Sequence, residues 1–512
     1  MSIYVFDMLI GYAANGIDNA QGFRAKLMKS CNIPVKFFFT DVPKDRYINR
    51  YLHAGIDSEQ MASLHQYMSG DMQGLRSYVK TSDKLIELQN ILNYTSTKET
   101  DTCIILYKGE YQVASLNRDL FFKDYCSSVS FFDNAKLIRT EKYAGNKVFY
   151  AESFKTVWTN NDLTAQITKR TYYDTNGNVA YEQLLGTDEV FYIFPDGNRM
   201  TKAEFLDAAI QKLNLSSQDT VILDRPGYFE YTESIFKRKN GAKLITVLHS
   251  GHYFEKGEDT NFLYLCYEYY YWFKYSKYVD WMVVSTEEQK NELQNTLTQY
   301  GCHIPSIAVI PAGGLTKLRV PSVFRKPYSI LTVSRIDTRK KIEWIIEAVA
   351  IAHRTVPNIY LDIYGKCVDA QYMHELEAIV EKHSAQDYIH FMGYQNVTEV
   401  YQNYELYLTA SLWETLGLSV MEAVGSGDAV VGLDVKYGNR LFIQSGINGY
   451  LTDFDASASL EHPEIIIEQM AVKIVECFSN SERLESFHQA SYRIAQDYLM
   501  QNIADKWCKL LL

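Results

Sequence analysis

Residues 406–424 read LYLTASLWETLGLSVMEAV, and this stretch decides the fold assignment. Its apolar start predicts a strand, and the residues after Gly417 predict a helix. Glu414 and Glu422 stand on either side of that glycine with seven residues between them. The backbone amides of residues 417–419 then lie at a helix N-terminus, where they can meet an anion, and Glu422 faces the same edge about one turn into the helix. The alternative is a helix-start carboxylate followed by an unrelated surface glutamate.

A basic cluster lies earlier in the same half of the chain. Residues 334–341 read SRIDTRKK and begin directly after the apolar run SILTV. Arg335 and Lys340 are five apart in a predicted strand-to-helix loop. A guanidinium fork and an ammonium point charge can therefore both face a diphosphate. The alternative for a basic cluster at a helix start is solvated surface charge.

Apolar runs alternate with helical patterns on both sides of these motifs. One series begins at about residue 328, and RKPYS near Arg325 predicts a linker before it. Another opens with IYVFD and PVKFFFTDV around a helical pattern and resumes after residue 205 with TVIL, KLITVL, WMVVS and SIAVIP. The sequence therefore predicts an α/β protein with two Rossmann-like domains, whose strand ends face a ligand cleft.

The first series is interrupted by β-rich sequence with hairpin signals. AGN at 144–146, TNGN at 175–178 and DG at 196–197 each separate apolar runs. Such turns predict an antiparallel meander inserted in the first domain. The predicted organisation is a first domain at 1–44 and 205–325, an insertion at 45–204, a second domain at 326–489 and a C-terminal helix at 490–512 that packs back on the first domain.

Composition narrows the classes of function. The chain has 512 residues, of which 47% are hydrophobic, and a net charge of −11 that disfavours binding to nucleic acid. Eight cysteines stand singly without a C-x-x-C pair, so we expect free thiols in a reducing compartment, with a disulfide framework as the alternative. No signal peptide or membrane-spanning run is evident. These features predict a cytosolic protein that does not bind nucleic acid.

The two motifs, together with Asn448-Gly449-Tyr450-Leu451, resemble the retaining nucleotide-sugar glycosyltransferases of the GT-B fold, family four. The resemblance covers residues 328–480. It implies that the motif residues bind the donor: the diphosphate by Arg335 and Lys340, the ribose hydroxyls by Glu422, and the sugar by Glu414.

The same resemblance implies further contacts to the donor in the second domain. Sugar and phosphate would meet the amides of Gly417, Leu418 and Ser419, and the base would meet the backbone of the loop that contains Tyr394 and Gln395. No metal or other cofactor is expected, because helix dipoles and the Arg/Lys pair would neutralise the leaving diphosphate. The D-x-D at residues 453–455 is interpreted as a loop.

In the first domain, the resemblance assigns two segments. Asn15 and Gly16 open the first helix, where the absence of a side chain on Gly16 lets the backbone approach the β-phosphate; a plain turn is the alternative. His249 follows the strand KLITVL at the edge that faces the cleft, so we assign it a place near the donor sugar and acceptor, with His252 second. Packing is the alternative for His249.

The insertion, IGYAANGIDNAQGFRAKLM and VLHSGHYF resemble the accessory-Sec protein O-glycosyltransferases of Gram-positive bacteria. This implies transfer from UDP-GlcNAc or UDP-glucose to serine and threonine of a serine-rich repeat protein, with the donor sugar left open. It also implies a cytoplasmic enzyme, with peripheral membrane association near the secretion machinery as an extension. The insertion would bind another copy or a homologous partner subunit.

Two other functions stay open. Wall-teichoic-acid glycosyltransferases carry a similar insertion, so poly-ribitol phosphate is a rival acceptor. A noncatalytic chaperone subunit is a rival of another class, although such a protein would be expected to lose the Arg, Lys and Glu set. The 40 tyrosines predict either aromatic platforms for sugar or peptide, or core and interface packing.

Overall fold

The structure is a computed structural model and describes residues 2–7, 16–40, 42, 48, 51–52, 56–70, 74–119, 122–159, 162–185, 189–224, 229–254, 264–321 and 324–511. The chain forms two compact units. The first unit comprises Met1–Val247 with Tyr267–Trp281, and the second comprises Leu248–Cys266 with Met282–Leu512.

The strands follow one another as β1 (Ile3–Asp7), β2 (Val35–Phe39), β3 (Met61–Ser63), β4 (Ser96–Glu99), β5 (Cys103–Lys108), β6 (Tyr111–Arg118), β7 (Cys126–Asp133), β8 (Lys136–Ala144), β9 (Lys147–Thr159), β10 (Asp162–Tyr173), β11 (Val179–Leu184), β12 (Phe191–Ile193), β13 (Arg199–Thr201), β14 (Thr220–Leu223), β15 (Lys243–Val247), β16 (Tyr253–Phe254), β17 (Tyr264–Leu265), β18 (Trp281–Val284), β19 (Ser306–Val309), β20 (Ser329–Val333), β21 (Tyr360–Tyr364), β22 (Ile389–Gly393), β23 (Leu406–Thr409), β24 (Ala429–Leu433) and β25 (Gly449–Thr452).

The α-helices are α1 (Gly16–Ser30), α2 (Leu64–Ser69), α3 (Thr81–Leu92), α4 (Lys202–Lys212), α5 (Phe229–Arg238), α6 (Tyr270–Lys274), α7 (Glu287–Gln299), α8 (Ile342–His353), α9 (Ala370–Lys382), α10 (Leu418–Gly425), α11 (Gly438–Phe442), α12 (Ala456–Glu461), α13 (Pro463–Phe478), α14 (Ser481–Ala495) and α15 (Met500–Leu511). Among the described residues, no helix combines the length and the apolar character needed to cross a membrane. All eight cysteines are free thiols.

The first sheet has the strand order β19-β18-β15-β14-β1-β2-β3. β1 pairs in parallel with β2 and with β14, and β14 pairs in parallel with β15. Every residue of β14 is buried, which fits the apolar run that follows Thr220. β3 lies within the range 45–204 predicted for the insertion, yet it pairs in parallel with β2 and extends this sheet.

A ten-stranded sheet runs from β4 to β13 in chain order, and every neighbouring pair is antiparallel. Gly145, Gly177 and Gly197 occupy the predicted hairpin turns with φ of 58°, 83° and 84°. These left-handed conformations favour glycine, so the turn residues set the register of their hairpins. The predicted antiparallel meander is confirmed.

Tyrosines of the meander pack in a hydrophobic cluster with Phe205 of α4. Tyr172 and Tyr181 are fully buried and stack with ring centroids 4.7 Å apart, and Tyr192 stacks on Phe205 of α4 at 3.9 Å. The hydroxyl of Tyr181 donates to the backbone carbonyl of His65 at 3.2 Å, which satisfies its polar end. Packing in the core therefore accounts for these tyrosines, since a phenol adds a hydrogen bond to the area that a ring buries.

The second parallel sheet has the order β22-β21-β20-β23-β24-β25, and all five pairings are parallel. One hydrophobic cluster joins α8 and α13 to one face of this sheet, and another joins α10 to the tyrosines of the other face. Helices on both faces confirm the predicted Rossmann-like α/β organisation. The backbone of Leu499, before α15, pairs with that of Leu315.

Arg325, in the predicted linker, is largely buried and joins separate parts of the second unit. Its Nη1 donates to the carbonyl of Tyr404 at 2.5 Å and to Oδ1 of Asp428 at 2.9 Å. Its Nη2 donates to the carbonyl of Ser426 at 2.6 Å and to the hydroxyl of Tyr492 at 3.2 Å. Burial raises the pKa of Asp428, and the guanidinium opposes that shift. The segment is thus a structural cross-link as well as a connection.

Replacing Arg325 with alanine is expected to lower the free energy of unfolding by about 3 to 5 kcal/mol, because Asp428 would stay buried without its cation. The matched change at exposed Arg483 of α14 should cost less than about 0.5 kcal/mol. Urea unfolding followed by circular dichroism measures both. Equal midpoints for the two variants would show that the buried pair contributes nothing.

Candidate functional site

The two sequence motifs meet because their strands are neighbours. β20, which precedes the basic cluster, pairs in parallel with β23, which precedes Glu414. The carboxyl ends of both strands therefore reach the same edge of the sheet. The backbone amide of Leu412 donates to the carbonyl of Arg339 at 3.0 Å and fixes one loop against the other.

Lys340 and Glu414 form an ion pair at this edge, with Nζ and Oε1 2.5 Å apart. Their side chains are 20% and 14% exposed, so the pair is shielded but still reached by solvent. An ammonium and a carboxylate thus share one point beside a helix N-terminus. This arrangement can hold an anion with the lysine and a hydroxylated ligand with the glutamate.

Arg335 lies on the same loop as Lys340. Its guanidinium is 3.3 Å from Oδ2 of Asp337, and Arg339 makes a contact of the same length to the same oxygen. The side chains of the two arginines are 49% and 70% exposed. Asp337 therefore positions both, and Arg335 is the less exposed of the two.

The N-terminus of α10 follows Glu414 directly. Gly417 is the N-cap residue with φ of 76°, a left-handed conformation that favours glycine. The amides of Leu418 and Ser419 are in the first turn, where a helix leaves N–H groups without intrahelical partners. The Leu418 side chain packs against Gly313, where a Cβ would overlap it. The predicted strand-to-helix junction is therefore present.

Glu422 lies one turn further along α10 and is partly buried. Burial raises its pKa, and the nearby hydroxyl of Tyr401 and guanidinium of Arg319 oppose part of that shift. Tyr401 is fully buried under this helix. A carboxyl group in this setting is suited to a neutral hydroxylated ligand, because its immediate neighbours do not neutralise it by a close ion pair.

A second segment holds the backbone of Glu414. The amides of Tyr437 and Gly438 both donate to the Glu414 carbonyl at 2.7 Å, and the Glu414 amide donates to the carbonyl of Lys436 at 3.3 Å. A Cβ on Gly438 would overlap the backbone of Leu416. Glycine is needed here for this close approach, and the approach fixes the loop that carries Glu414.

The segment around His249 and His252 also belongs to the second unit. His249 is partly buried. Gly251 packs on the indole of Trp413, and a Cβ there would overlap the ring. His252 is fully buried, and its Nε2 is 2.9 Å from the hydroxyl of Thr296. The structure thus brings this segment beside Trp413, the residue that precedes Glu414.

The remaining predicted site residues are Tyr394, Gln395, Gly16 and Asn15. Tyr394 is 78% exposed in the loop after β22, and Gln395 donates to the carbonyl of Met392 at 2.7 Å. Gly16 begins α1 in the first unit. Asn15 lies outside the described residues. The roles assigned to these four residues remain predictions.

Two sequence features prove to be structural. Asn448 is fully buried, and its side chain donates to the carbonyl of Phe442 at 2.9 Å. Asp455 of the D-x-D caps α12 by accepting from the Ala458 amide at 2.8 Å. Across the described parts of the chain, no group of three or more His, Cys, Asp and Glu side chains is placed to hold a metal ion.

Sequence reasoning missed Trp413 and the segment 436–438. Trp413 is adjacent to Glu414 and lies edge-on to Tyr437, with ring centroids 5.9 Å apart. Its position next to the motif was a usable signal. Nothing in the sequence around Tyr437 pointed to the motif, because the contact depends on β24 lying beside β23, so that Glu414 and Tyr437 pair in parallel beyond the ends of these strands.

Comparison with known proteins places these motifs in a family context. The family described as "Glycosyl transferases group 1" matches residues 316–469, and the "GtfA extended beta-sheet domain" matches residues 95–196. The UDP-N-acetylglucosamine–peptide N-acetylglucosaminyltransferase GtfA subunit of Streptococcus gordonii is 33% identical over 520 residues, covering 100% of this chain and 98% of that protein.

Solved structures of related proteins are similar to this chain over its full length. Pneumococcal O-GlcNAc transferase GtfA in complex with UDP and GlcNAc superposes with a TM-score of 0.86 at 29% identity, covering 100% of this chain and 98% of that one. A GtfA/B complex gives 0.87 at 31% identity, covering 100% and 99%. The poly(ribitol-phosphate) α-N-acetylglucosaminyltransferase of Staphylococcus aureus is more distant, with 24% identity over 75% of this chain and 73% of that protein. The predicted GT-B fold is confirmed.

The burial of His252 makes the stability of the fold depend on pH. Burial lowers its pKa from 6.5 to about 4, Lys436 adds to the shift, and Glu292 opposes it. Below pH 6.5 the His252 imidazole is protonated in the unfolded chain, but in the folded chain it stays neutral until about pH 4. Stability from this residue is therefore complete above pH 6.5 and is lost as the pH falls to about 4.

Replacing His252 with asparagine is expected to remove this loss. The difference in unfolding free energy between wild type and variant should narrow by on the order of 3 kcal/mol from neutral pH to pH 4. Urea unfolding at several pH values measures it. The same change at exposed His303 should leave the wild-type pH dependence in place, and an unchanged dependence in His252→Asn would contradict the assignment.

Proposed function

We propose that this chain, which belongs to the GtfA family of glycosyltransferases, transfers N-acetylglucosamine from UDP-N-acetylglucosamine to serine and threonine hydroxyls of a serine-rich repeat protein. The observation that carries the proposal is the Lys340–Glu414 ion pair at the N-terminus of α10. N-acetylglucosamine is preferred to glucose as the donor sugar because the related GtfA subunits are named for that sugar.

The donor binds mainly through the negative charges of its diphosphate. Lys340 and Arg335 neutralise the diphosphate, and the amides that begin α10 add the positive end of a helix dipole. Glu422 accepts hydrogen bonds from the ribose hydroxyls. No metal is required, since two cationic side chains and a helix N-terminus meet the charge that the leaving diphosphate develops.

Transfer proceeds with retention of configuration. The acceptor hydroxyl attacks C1 on the face from which UDP departs, the bond from C1 to the phosphate oxygen breaks, and that oxygen takes the acceptor proton. Glu414 orients the sugar and supports positive charge at C1. Its contact with Lys340 at 2.5 Å favours this supporting role, because an ammonium held at a carboxylate reduces its strength as a nucleophile.

The ten-stranded sheet captures the acceptor and joins a homologous partner subunit. Its longest strands, β9 and β10, carry Trp158 and Leu163 opposite each other, and these side chains are 69% and 57% exposed. An exposed apolar pair near the ends of two antiparallel strands suits a protein contact better than water. A chain of a solved GtfA/B complex is similar to this chain over its full length.

Two alternatives are weaker. A teichoic-acid acceptor is supported by relatives of lower identity, a poly(glycerol-phosphate) α-glucosyltransferase at 26% and a poly(ribitol-phosphate) α-N-acetylglucosaminyltransferase at 24%. A noncatalytic subunit would have no need to retain Arg335, Lys340, Glu414 and Glu422 together, and this chain has all four.

The test offers the full chain UDP-N-acetylglucosamine or UDP-glucose, with a recombinant serine-rich repeat or with poly-ribitol phosphate, alone and with a homologous partner subunit. We expect added mass on the repeat, with N-acetylglucosamine as the better donor. Lys340→Ala and Glu414→Ala should each lower transfer about 100-fold or more, because each removes a charge that acts on the transition state.

The matched control is Arg339→Ala, which removes a cation next to Lys340 from the same loop. Arg339 is 70% exposed and shares Asp337 with Arg335, so its loss should leave transfer nearly unchanged. Circular dichroism establishes that each variant is folded. Sugar added only to poly-ribitol phosphate would contradict the proposed serine-rich repeat acceptor. Wild-type activity in Lys340→Ala would contradict the assigned donor site.

A further inference from the structure

One face of α7 carries three polar side chains spaced four residues apart, namely Glu288, Glu292 and Thr296. Residues at this spacing lie above one another on a helix. Glu288 pairs with Arg440 of α11 at 2.7 Å, on the exposed end of the row. Glu292 lies in the middle, and its carboxylate is 21% exposed.

Glu292 holds three side chains, which we name with it the Glu292 cluster: Glu292, Tyr253, Lys436 and Tyr437. Lys436 Nζ is 2.7 Å from Oε1 of Glu292, and the hydroxyl of Tyr437 donates to Oε2 at 2.6 Å. The hydroxyl of Tyr253 donates to the same Oε2 at 3.1 Å and accepts from Lys436 at 3.2 Å. Every member therefore contacts at least one other polar group of the cluster.

The charge on Glu292 is stabilised within this cluster. Burial acts to raise its pKa, but the hydrogen bonds from Lys436 and Tyr437 outweigh burial and lower the pKa. Glu292 is thus an ionised acceptor at neutral pH. A charge-assisted network of this kind is stronger and more directional than neutral hydrogen bonds.

The cluster reaches Glu414 through the backbone. The backbone amides of Tyr437 and Gly438 each donate to the Glu414 carbonyl at 2.7 Å, and the backbone carbonyl of Lys436 accepts from the Glu414 amide. The ring of Tyr437 lies edge-on to Trp413. Fixing the hydroxyl of Tyr437 on Glu292 therefore fixes the backbone that sets the position of Glu414.

The same turn of α7 reaches the segment that contains His249. The Thr296 hydroxyl donates to the Glu292 carbonyl at 2.9 Å, so the His252 Nε2–H is the donor in its contact with Thr296. Tyr253 is held by the Glu292 carboxylate, and Gly251 packs on Trp413. One helix turn thus holds both the His249 segment and the Glu414 loop.

We propose that Glu292 is a positioning residue, which sets the His249 segment and the Glu414 loop at the separation that sugar transfer requires. This inference rests on the proposed transferase function. Glu292 acts through Tyr253, Lys436 and Tyr437 and does not touch the donor. Arg335 and Lys340 lie on a loop with its own backbone bonds, including Ile336 to Lys366 at 3.2 Å, so donor binding depends less on the cluster than transfer does.

The experiment compares Glu292→Gln and Tyr437→Phe with the matched control Glu288→Gln in the full chain. Glu292→Gln removes the charge and keeps the shape, so kcat should fall about 100-fold through misplacement, with little change in the KM for UDP-N-acetylglucosamine. Tyr437→Phe removes one hydroxyl and should lower kcat about tenfold. Glu288→Gln breaks a pair whose side chains are 33% and 40% exposed and should change kcat less than about twofold.

Hydrogen exchange gives a readout that does not need activity. The amides of Tyr437 and Gly438 should exchange faster in Glu292→Gln and Tyr437→Phe than in Glu288→Gln, because their acceptor carbonyl becomes mobile. If kcat and exchange in Glu292→Gln match Glu288→Gln, or if only the donor KM changes, the proposal is overturned. If the wild type transfers sugar to no acceptor, the proposed function fails, and exchange at Tyr437 and Gly438 still decides whether Glu292 holds the loop.

Discussion

The pairing of Lys340 with Glu414 is the interaction on which the candidate site depends. It exists because β20 and β23 are neighbours in a parallel sheet, so that the loops following them leave the sheet at one edge. The contact from Leu412 to Arg339 closes those loops against each other. Opposite charges from distant parts of the sequence are thereby held at the point where α10 begins. A diphosphate binding there would meet a cation and helix amides without a change of fold.

Two ion pairs inside the second unit join segments that the sequence separates. Arg325 with Asp428 ties the start of the second parallel sheet to the end of α10, and Glu292 with Lys436 ties α7 to the segment 436–438 that holds the Glu414 loop. Buried charges require partners, so such pairs stabilise one arrangement of segments over others. Tyrosine hydroxyls act in the same way. Tyr437 is fully buried yet ends on a carboxylate, so tyrosine can pack in the core and still complete a polar network.

Much of the fold was predictable because it follows from short-range patterns. Apolar runs gave the parallel strands, and the glycine turns at residues 145, 177 and 197 gave the meander. The proximity of Lys340 and Glu414 was predictable only through the resemblance to known glycosyltransferases. The role of Arg325 was not predictable, because a linker sequence does not reveal five distant acceptors. The Glu292 cluster was also beyond sequence reasoning, since its members come from three segments whose spacing has no period.

A crystal structure of the full chain with intact UDP-N-acetylglucosamine tests the donor site at Lys340 and Glu414. We expect a diphosphate oxygen within hydrogen-bond distance of Lys340 Nζ, the sugar facing Glu414, and the ribose hydroxyls on Glu422. A diphosphate bound out of reach of both Lys340 and Arg335, with the Lys340–Glu414 contact unchanged, would contradict this donor site.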